Sequence, residues 1–222
     1  MVDFRLILRY AWQQVGESFG SGPYKSPITS CPFKAIVGTA WRDAAKIVFP
    51  GHQHYQNCGV QSARQIVEQA SGQPLPDSEL EFLNKAIDTC GVEKEKNHPK
   101  DSGGSDAGRR QCILKQYGVA SKIEDASLEN VDRALRDGKG VIISADVAVL
   151  WQHRPGVPPQ TGRHAVVVTH GHYDQDGNLA GVWVNDTGIG QRYFLTTEQL
   201  GDALDSGSLE LNITDHRIWP NN

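Results

Sequence analysis

The sequence predicts an α+β fold, and three observations carry that expectation. Between residues 58 and 136 apolar residues recur mostly at helical spacing, whereas runs of β-branched residues begin only at Val141. Two of those runs flank Asp174-Gln175-Asp176-Gly177, a turn signal that closes an antiparallel hairpin. Helices first and an antiparallel sheet afterwards is the pattern of helices packed on one sheet.

Taken in order, the elements begin with a segment that is hard to read. Residues 1–50 hold an aromatic and apolar stretch to Trp12, a Gly/Ser/Pro loop from Gly16 to Pro32 and a partly helical stretch from Phe33 to Val48. They are expected to be a variable N-terminal extension of a single domain spanning 1–222. After the Pro50-Gly51 break, Val60, Ala63, Val67 and Ala70 mark one helix face, and Ser71-Gly72 ends the run. A second helix follows Asp77-Ser78, with Leu80, Leu83, Ala86 and Ile87 on one side. The polar run Glu93 to Gly108 is expected to be a loop whose Lys94, Lys96, Lys100, Arg109 and Arg110 form a solvated face. Gln111 to Tyr117 lies in a further helix, and Ser127 to Arg136 is another, with Leu128, Val131 and Leu135 facing inward. Val141 to Ser144 is a strand, His164 to His170 and Leu179 to Asp186 form the hairpin, and Arg192 to Leu195 is expected to be the last strand. Thr196 caps a short helix through Leu200 and Leu204.

Charge and hydropathy exclude several function classes. With 22 basic and 26 acidic residues, the chain has no basic stripe of the kind that binds nucleic acid. Its longest apolar runs fall far short of the ~20 residues that cross a bilayer, and Phe4 to Tyr10 alternates charge with apolar residues instead of forming a secretory signal. A cytoplasmic protein with no membrane or nucleic-acid partner is expected. The four cysteines, Cys31, Cys58, Cys90 and Cys112, form no CxxC pair, so no structural zinc site is expected; Cys90 and Cys112 read as reduced packing residues.

Cys58 stands out because it lies in the first turn of a predicted helix, where unpaired N–H groups and the macrodipole stabilise a thiolate. His164 opens the first hairpin strand, and reflection about the turn pairs positions whose numbers sum to roughly 350–352. Asp186 then falls opposite His164 or one diagonal step away, on the same face, while Asn185 points the other way unless a bulge resets the phase. Nucleophile, base and orienter are the three roles such a set can fill.

Gln53, Gln56-Asn57-Cys58-Gly59, His164 to Val168 and Asn185-Asp186-Thr187-Gly188, together with Gly103-Gly104-Ser105, resemble the papain-like cysteine peptidases. Within them the likeness is to the bacteriocin-processing peptidase family and related bacterial toxin and effector domains. The resemblance spans roughly residues 50 to 200 and rests on the order and spacing of short motifs. It implies a papain-like fold, with the nucleophile helix packed on a C-terminal antiparallel sheet, and a Cys58-His164-Asp186 triad acting on a peptide or protein. It implies no cofactor or metal, and in the effector setting it adds delivery into a target cell and an inhibitory (immunity) partner. In that family the oxyanion Gln lies six residues before the Cys, where this chain has His52; the role is carried to Gln53, with Gln56 as second choice.

The same residues could deamidate a protein Gln or transfer an acyl group. Two other classes compete: a metal site built from His52, His54 and Cys58 or from His164, His170 and His172, and a non-catalytic binding module on the same fold.

Overall fold

A computed structural model describes residues 52–152, 157 and 160–219. The expectations for residues 1–50 and for Cys31 lie outside them, as does part of the single domain expected over 1–222. Helix α1 spans Cys58–Ser71 and ends where Gly72 adopts the left-handed conformation, φ 72°, that glycine reaches without Cβ strain. Its buried stripe is Val60, Ala63, Ile66 and Val67. Helix α2, Glu79–Cys90, starts with a capping box in which the Ser78 hydroxyl accepts from the Glu81 N–H and the Glu81 carboxylate accepts from the Ser78 N–H. Helix α3, Ala107–Gln116, is capped by Asp106. Beyond it come β1 (Ser121–Asp125), α4 (Leu128–Arg136), β2 (Lys139–Asp146), α5 (Val147–Trp151), β3 (Arg163–Tyr173), β4 (Leu179–Asp186), β5 (Gln191–Thr196), α6 (Thr197–Ser206) and β6 (Glu210–Arg217).

The six strands form one sheet in the order β1-β6-β2-β3-β4-β5, with every neighbouring pair antiparallel. The expected α+β class holds, and α1 packs on the sheet against β3 and β2. Strand alternation sends Ile142, Ala165 and Val167 to the face covered by α1, α2 and α3. It sends Val141, Ile143, Val166, Val168, Val182 and Val184 to the opposite face, covered by α4, α5 and α6. Burial on both faces explains why β2 and β3 read as continuous apolar runs and not as an alternation.

Four expectations are corrected. Arg192 to Leu195 is not in the last strand: β6 follows and inserts between β1 and β2, a long-range pairing that local sequence does not announce. The five-residue helix α5, capped by Asp146, lies where only a strand end was expected. Arg110 is not on a solvated face but is 2% exposed beneath α1. Cys90 and Cys112 are not free packing residues: they form a disulfide, with Cα atoms 5.7 Å apart, that ties the end of α2 to α3.

The bridge closes a loop with a sequence separation of 22, which constrains the unfolded chain by about 3 kcal/mol. Cys90→Ala/Cys112→Ala should lose roughly that much stability in urea unfolding. A double variant as stable as the oxidised wild type would show that the bridge does not form.

Candidate active site

Cys58 is the first residue of α1, placed there because the apolar stripe of the helix is buried against the sheet. Its sulfur accepts a hydrogen bond from the Ala165 backbone N–H at 3.3 Å, so helix start and strand start are joined at one atom. Gly59 is demanded by close approach. A Cβ there would lie 2.2 Å from Ser105 Oγ and 3.3 Å from Arg110 Cδ. The loop that precedes α3 therefore packs directly under the turn that carries the thiol.

His164, 6% exposed, presents Nε2 to Asp186 Oδ1 at 2.6 Å, and the same side chain interacts with the Cys58 thiol. The register at this end of the hairpin, Val167 opposite Asn185 and Val168 opposite Val184, gives pairs that place Asp186 one diagonal step from His164. Both side chains lie on the α4–α6 face, as the parity predicts. A bulge does occur, between Val168 and His170, but it lies further along the strand and leaves the His164 end in phase. Asn185 points to the opposite face, 1% exposed, and its amide has no hydrogen-bond partner.

The Asp186 carboxylate is fully buried and accepts four hydrogen bonds. Oδ1 takes His164 Nε2 and the Gly188 N–H at 2.8 Å; Oδ2 takes Trp151 Nε1 at 2.8 Å and the Tyr193 hydroxyl at 2.9 Å. Trp151 also meets the imidazole edge-on, with centroids 5.3 Å apart. Gly188 has no room for a side chain: a Cβ there would stand 2.7 Å from His164 Cε1 and 3.0 Å from Trp151 Cζ2.

These contacts set the charge states. Burial pushes the Cys58 thiol up, but the hydrogen bond to His164, the charge of that imidazole and the N–H groups of Ala165 and Gly59 outweigh it and hold the thiol below its ordinary value. Burial disfavours the imidazolium of His164, yet hydrogen bonds to Asp186 and Cys58 and the charges of both raise it to about 10. Burial likewise opposes the Asp186 carboxylate, and the bond and charge from His164, followed by those from Trp151 and Tyr193, keep it below the ordinary carboxylate range. Together these shifts favour the thiolate–imidazolium form of the pair over the neutral thiol and imidazole.

Gln53 is anchored beside this set. Its N–H donates to the Thr187 carbonyl at 2.9 Å, its Oε1 accepts from the Thr187 hydroxyl at 2.7 Å, and one Nε2 hydrogen goes to the Tyr55 carbonyl at 2.9 Å. The second amide hydrogen remains to be donated. Gln56 turns elsewhere, to Asp101 at 3.2 Å, and His52 lies against its neighbouring carbonyl. The histidine sets do not converge: His54 pairs with Glu79, and the bulge sends His170 and His172 to the face opposite His164, with His170 against Trp219. Among the described residues no three metal-ligating side chains are grouped.

Tyr193 and Arg110 are the site residues that sequence reasoning did not assign to the site, whereas Trp151, just beyond the β2 run, can be read as bordering the cleft, with burial in the core the commoner role of such an aromatic. Trp151 ends a helix too short to show a period, and Arg110 sits within a run of charges. Tyr193 could have been found, because the β4–β5 pairing sets it opposite Val184, on the Asp186 face.

No family model and no curated protein matches the sequence. Among solved structures, the fold is similar to that of a candidate C39-like peptidase from Bacillus anthracis, at 15% identity and a TM-score of 0.52, covering 76% of this chain and 95% of that one. The likeness is one of fold.

Because the folded-state pKa of Asp186 is depressed, its contribution to stability is present above the ordinary carboxylate value of 3.8 and is lost as pH falls through the lower folded value. Tyr193→Phe removes one of the four donors, which should cost about 1.5–3 kcal/mol near neutral pH and move acid unfolding to higher pH. Circular dichroism across an acid titration measures both; an unchanged acid midpoint would contradict the assigned hydrogen bond.

Proposed function

We propose that this chain is a cysteine peptidase that hydrolyses peptide bonds in a protein or peptide substrate. The observation that carries the proposal is that the His164 imidazole bonds the buried Asp186 carboxylate through Nε2 and interacts with the Cys58 thiol, which the Ala165 N–H holds at the start of β3. The peptidase likeness of the fold supports the reaction class.

In this mechanism the Cys58 thiolate attacks the scissile carbonyl carbon and the carbonyl electrons move onto oxygen. That oxyanion is met by the Cys58 backbone N–H and the remaining Gln53 amide N–H, a kind of contact worth ~3 kcal/mol. The His164 imidazolium then gives its Nδ1 proton to the leaving amine as the C–N bond breaks, leaving a thioester. Water attacks the thioester, the neutral imidazole takes its proton, and the carboxylic acid departs as the thiolate returns. Asp186 keeps the ring in the plane and tautomer that present Nδ1 to sulfur.

The Cys90–Cys112 bridge favours a protein that matures or acts in oxidising surroundings over one resident in a reducing cytoplasm. Among the described residues no helix is long and apolar enough to cross a membrane. An effector setting, with an inhibitory partner in the producing cell, extends the resemblance read from the sequence.

Incubating wild type and Cys58→Ala with a cell lysate and mapping protein termini by mass spectrometry should give new termini with the wild type alone. Conversion of Gln to Glu without new termini would replace peptidase with deamidase. On a cleaved substrate, Asp186→Ala should lower the turnover rate by orders of magnitude, because a mis-oriented imidazole is a poor base, whereas Asn185→Ala should act mainly on stability. The reverse ranking would remove Asp186 as the orienter.

A further inference from the structure

Arg110 is the buried charge that the mechanism above does not use. It enters from the first turn of α3, is 2% exposed, and reaches three neutral acceptors. Nε donates to Asn212 Oδ1 at 2.7 Å; Nη1 donates to Ser144 Oγ at 3.0 Å and to the Ser105 carbonyl at 3.3 Å. Asn212 is held in that orientation because its own Nδ2 donates to the Ala107 carbonyl at 2.8 Å. Nη2 is buried without a hydrogen-bond partner, and among the described residues no carboxylate forms an ion pair with the guanidinium.

An isolated buried cation costs several kcal/mol, and neutral acceptors recover only part of that. The position of the side chain suggests what the charge is for. Its Cδ lies 3.3 Å from where a Gly59 Cβ would be, and its Nη1 bonds Ser144, the β2 partner of Ala165 whose N–H meets the Cys58 sulfur, so the side chain runs beneath Gly59 and the guanidinium lies beside the start of β3. Burial disfavours its charged form; the anions that favour it are Cys58 first, then Asp106 and Glu210, both of which are exposed and screened by water. The groups that act most strongly on the thiol are His164, with Asp186 behind it, and the N–H groups of Ala165 and Gly59; the guanidinium acts on it from further away, as a charge and not as a contact. His164 gains and loses a proton during turnover, while a guanidinium stays charged.

We propose that Arg110 is a positioning residue whose permanent, uncompensated charge beneath α1 holds Cys58 as a thiolate, independently of the protonation of His164. The inference rests on Cys58 being the nucleophile. It also gives Asn212 and Ser144 a role: they fix the guanidinium in place without neutralising it.

The test follows the rate of iodoacetamide labelling of Cys58 against pH, with peptide mapping to assign the cysteine and circular dichroism to confirm folding. Arg110→Met should raise the inflection and lower labelling at mildly acidic pH about three- to tenfold, the range expected for one charge at this remove in a partly polar interior. Arg110→Lys keeps the charge and should restore the wild-type inflection even if the fold melts earlier. Asn212→Asp keeps the arginine and supplies a counter-charge beside Nε at the cost of the bond to the Ala107 carbonyl, and should shift the inflection in the same direction as Arg110→Met. If Arg110→Met does not fold, the Asn212→Asp profile decides. A wild-type inflection in folded Arg110→Met or in folded Asn212→Asp overturns the role of Arg110 and leaves the peptidase proposal standing. An ordinary thiol inflection in the wild type itself would instead remove Cys58 as the nucleophile.

Discussion

The site depends on one buried carboxylate. Asp186 has lost all contact with water, and an ion in that position is tolerated only when its lone pairs are filled. Four donors fill them, and they come from four separate parts of the chain: His164 on β3, Trp151 on α5, Tyr193 on β5 and the Gly188 backbone in the turn after β4. Each charge-assisted bond contributes about 1.5–3 kcal/mol, enough in sum to offset a desolvation cost of several kcal/mol. Satisfying the carboxylate thus fixes the imidazole, the indole, the phenol and the turn at once. The Gly188 position has no space for a Cβ because ring and indole are already closed around it.

The Cys58 thiol reaches this assembly from the other side of the sheet. Helix α1 buries Val60, Ala63, Ile66 and Val67 against Ile142, Ala165 and Val167, and that packing delivers its N-terminus to the start of β3. The face of the sheet that carries His164 and Asp186 is covered independently by α4, α5 and α6. Thiol and imidazole therefore belong to different hydrophobic cores and meet where β3 begins, at the Ala165 N–H. Rigidity on both sides suits a reaction in which misplacement by an ångström is costly. Groups of alternating charge preference follow one another across the meeting point: the Arg110 guanidinium, the Cys58 thiol held below its ordinary value, the raised His164 imidazole and the Asp186 carboxylate.

Much of this was legible in the residues, for identifiable reasons. The Val60 to Ala70 spacing and the Ser71-Gly72 stop gave α1 because helix period and left-handed cap are local properties. The Asp174 to Gly177 turn fixed hairpin parity, so the shared face of His164 and Asp186 and the reversed Asn185 could be read by counting. Counting failed past Val168, where the bulge turned His170 and His172 to the other face. Arg110 was misread because a charged residue among charged neighbours carries no local sign of burial.

By itself the sequence determined the helix that presents Cys58, the hairpin that carries His164 and Asp186, and the α+β order that lets them meet, because propensity, capping and strand alternation act over a few residues. Only the tertiary structure decided which groups surround them. Pairing of β6 between β1 and β2 brings Asn212 to Arg110, the β4–β5 register brings Tyr193 to Asp186, and α5 brings Trp151 to the same carboxylate. It also joined Cys90 to Cys112 across two helices. These contacts form when separate apolar faces are buried together, and the resulting fit depends on the whole packed core, not on any short stretch of chain.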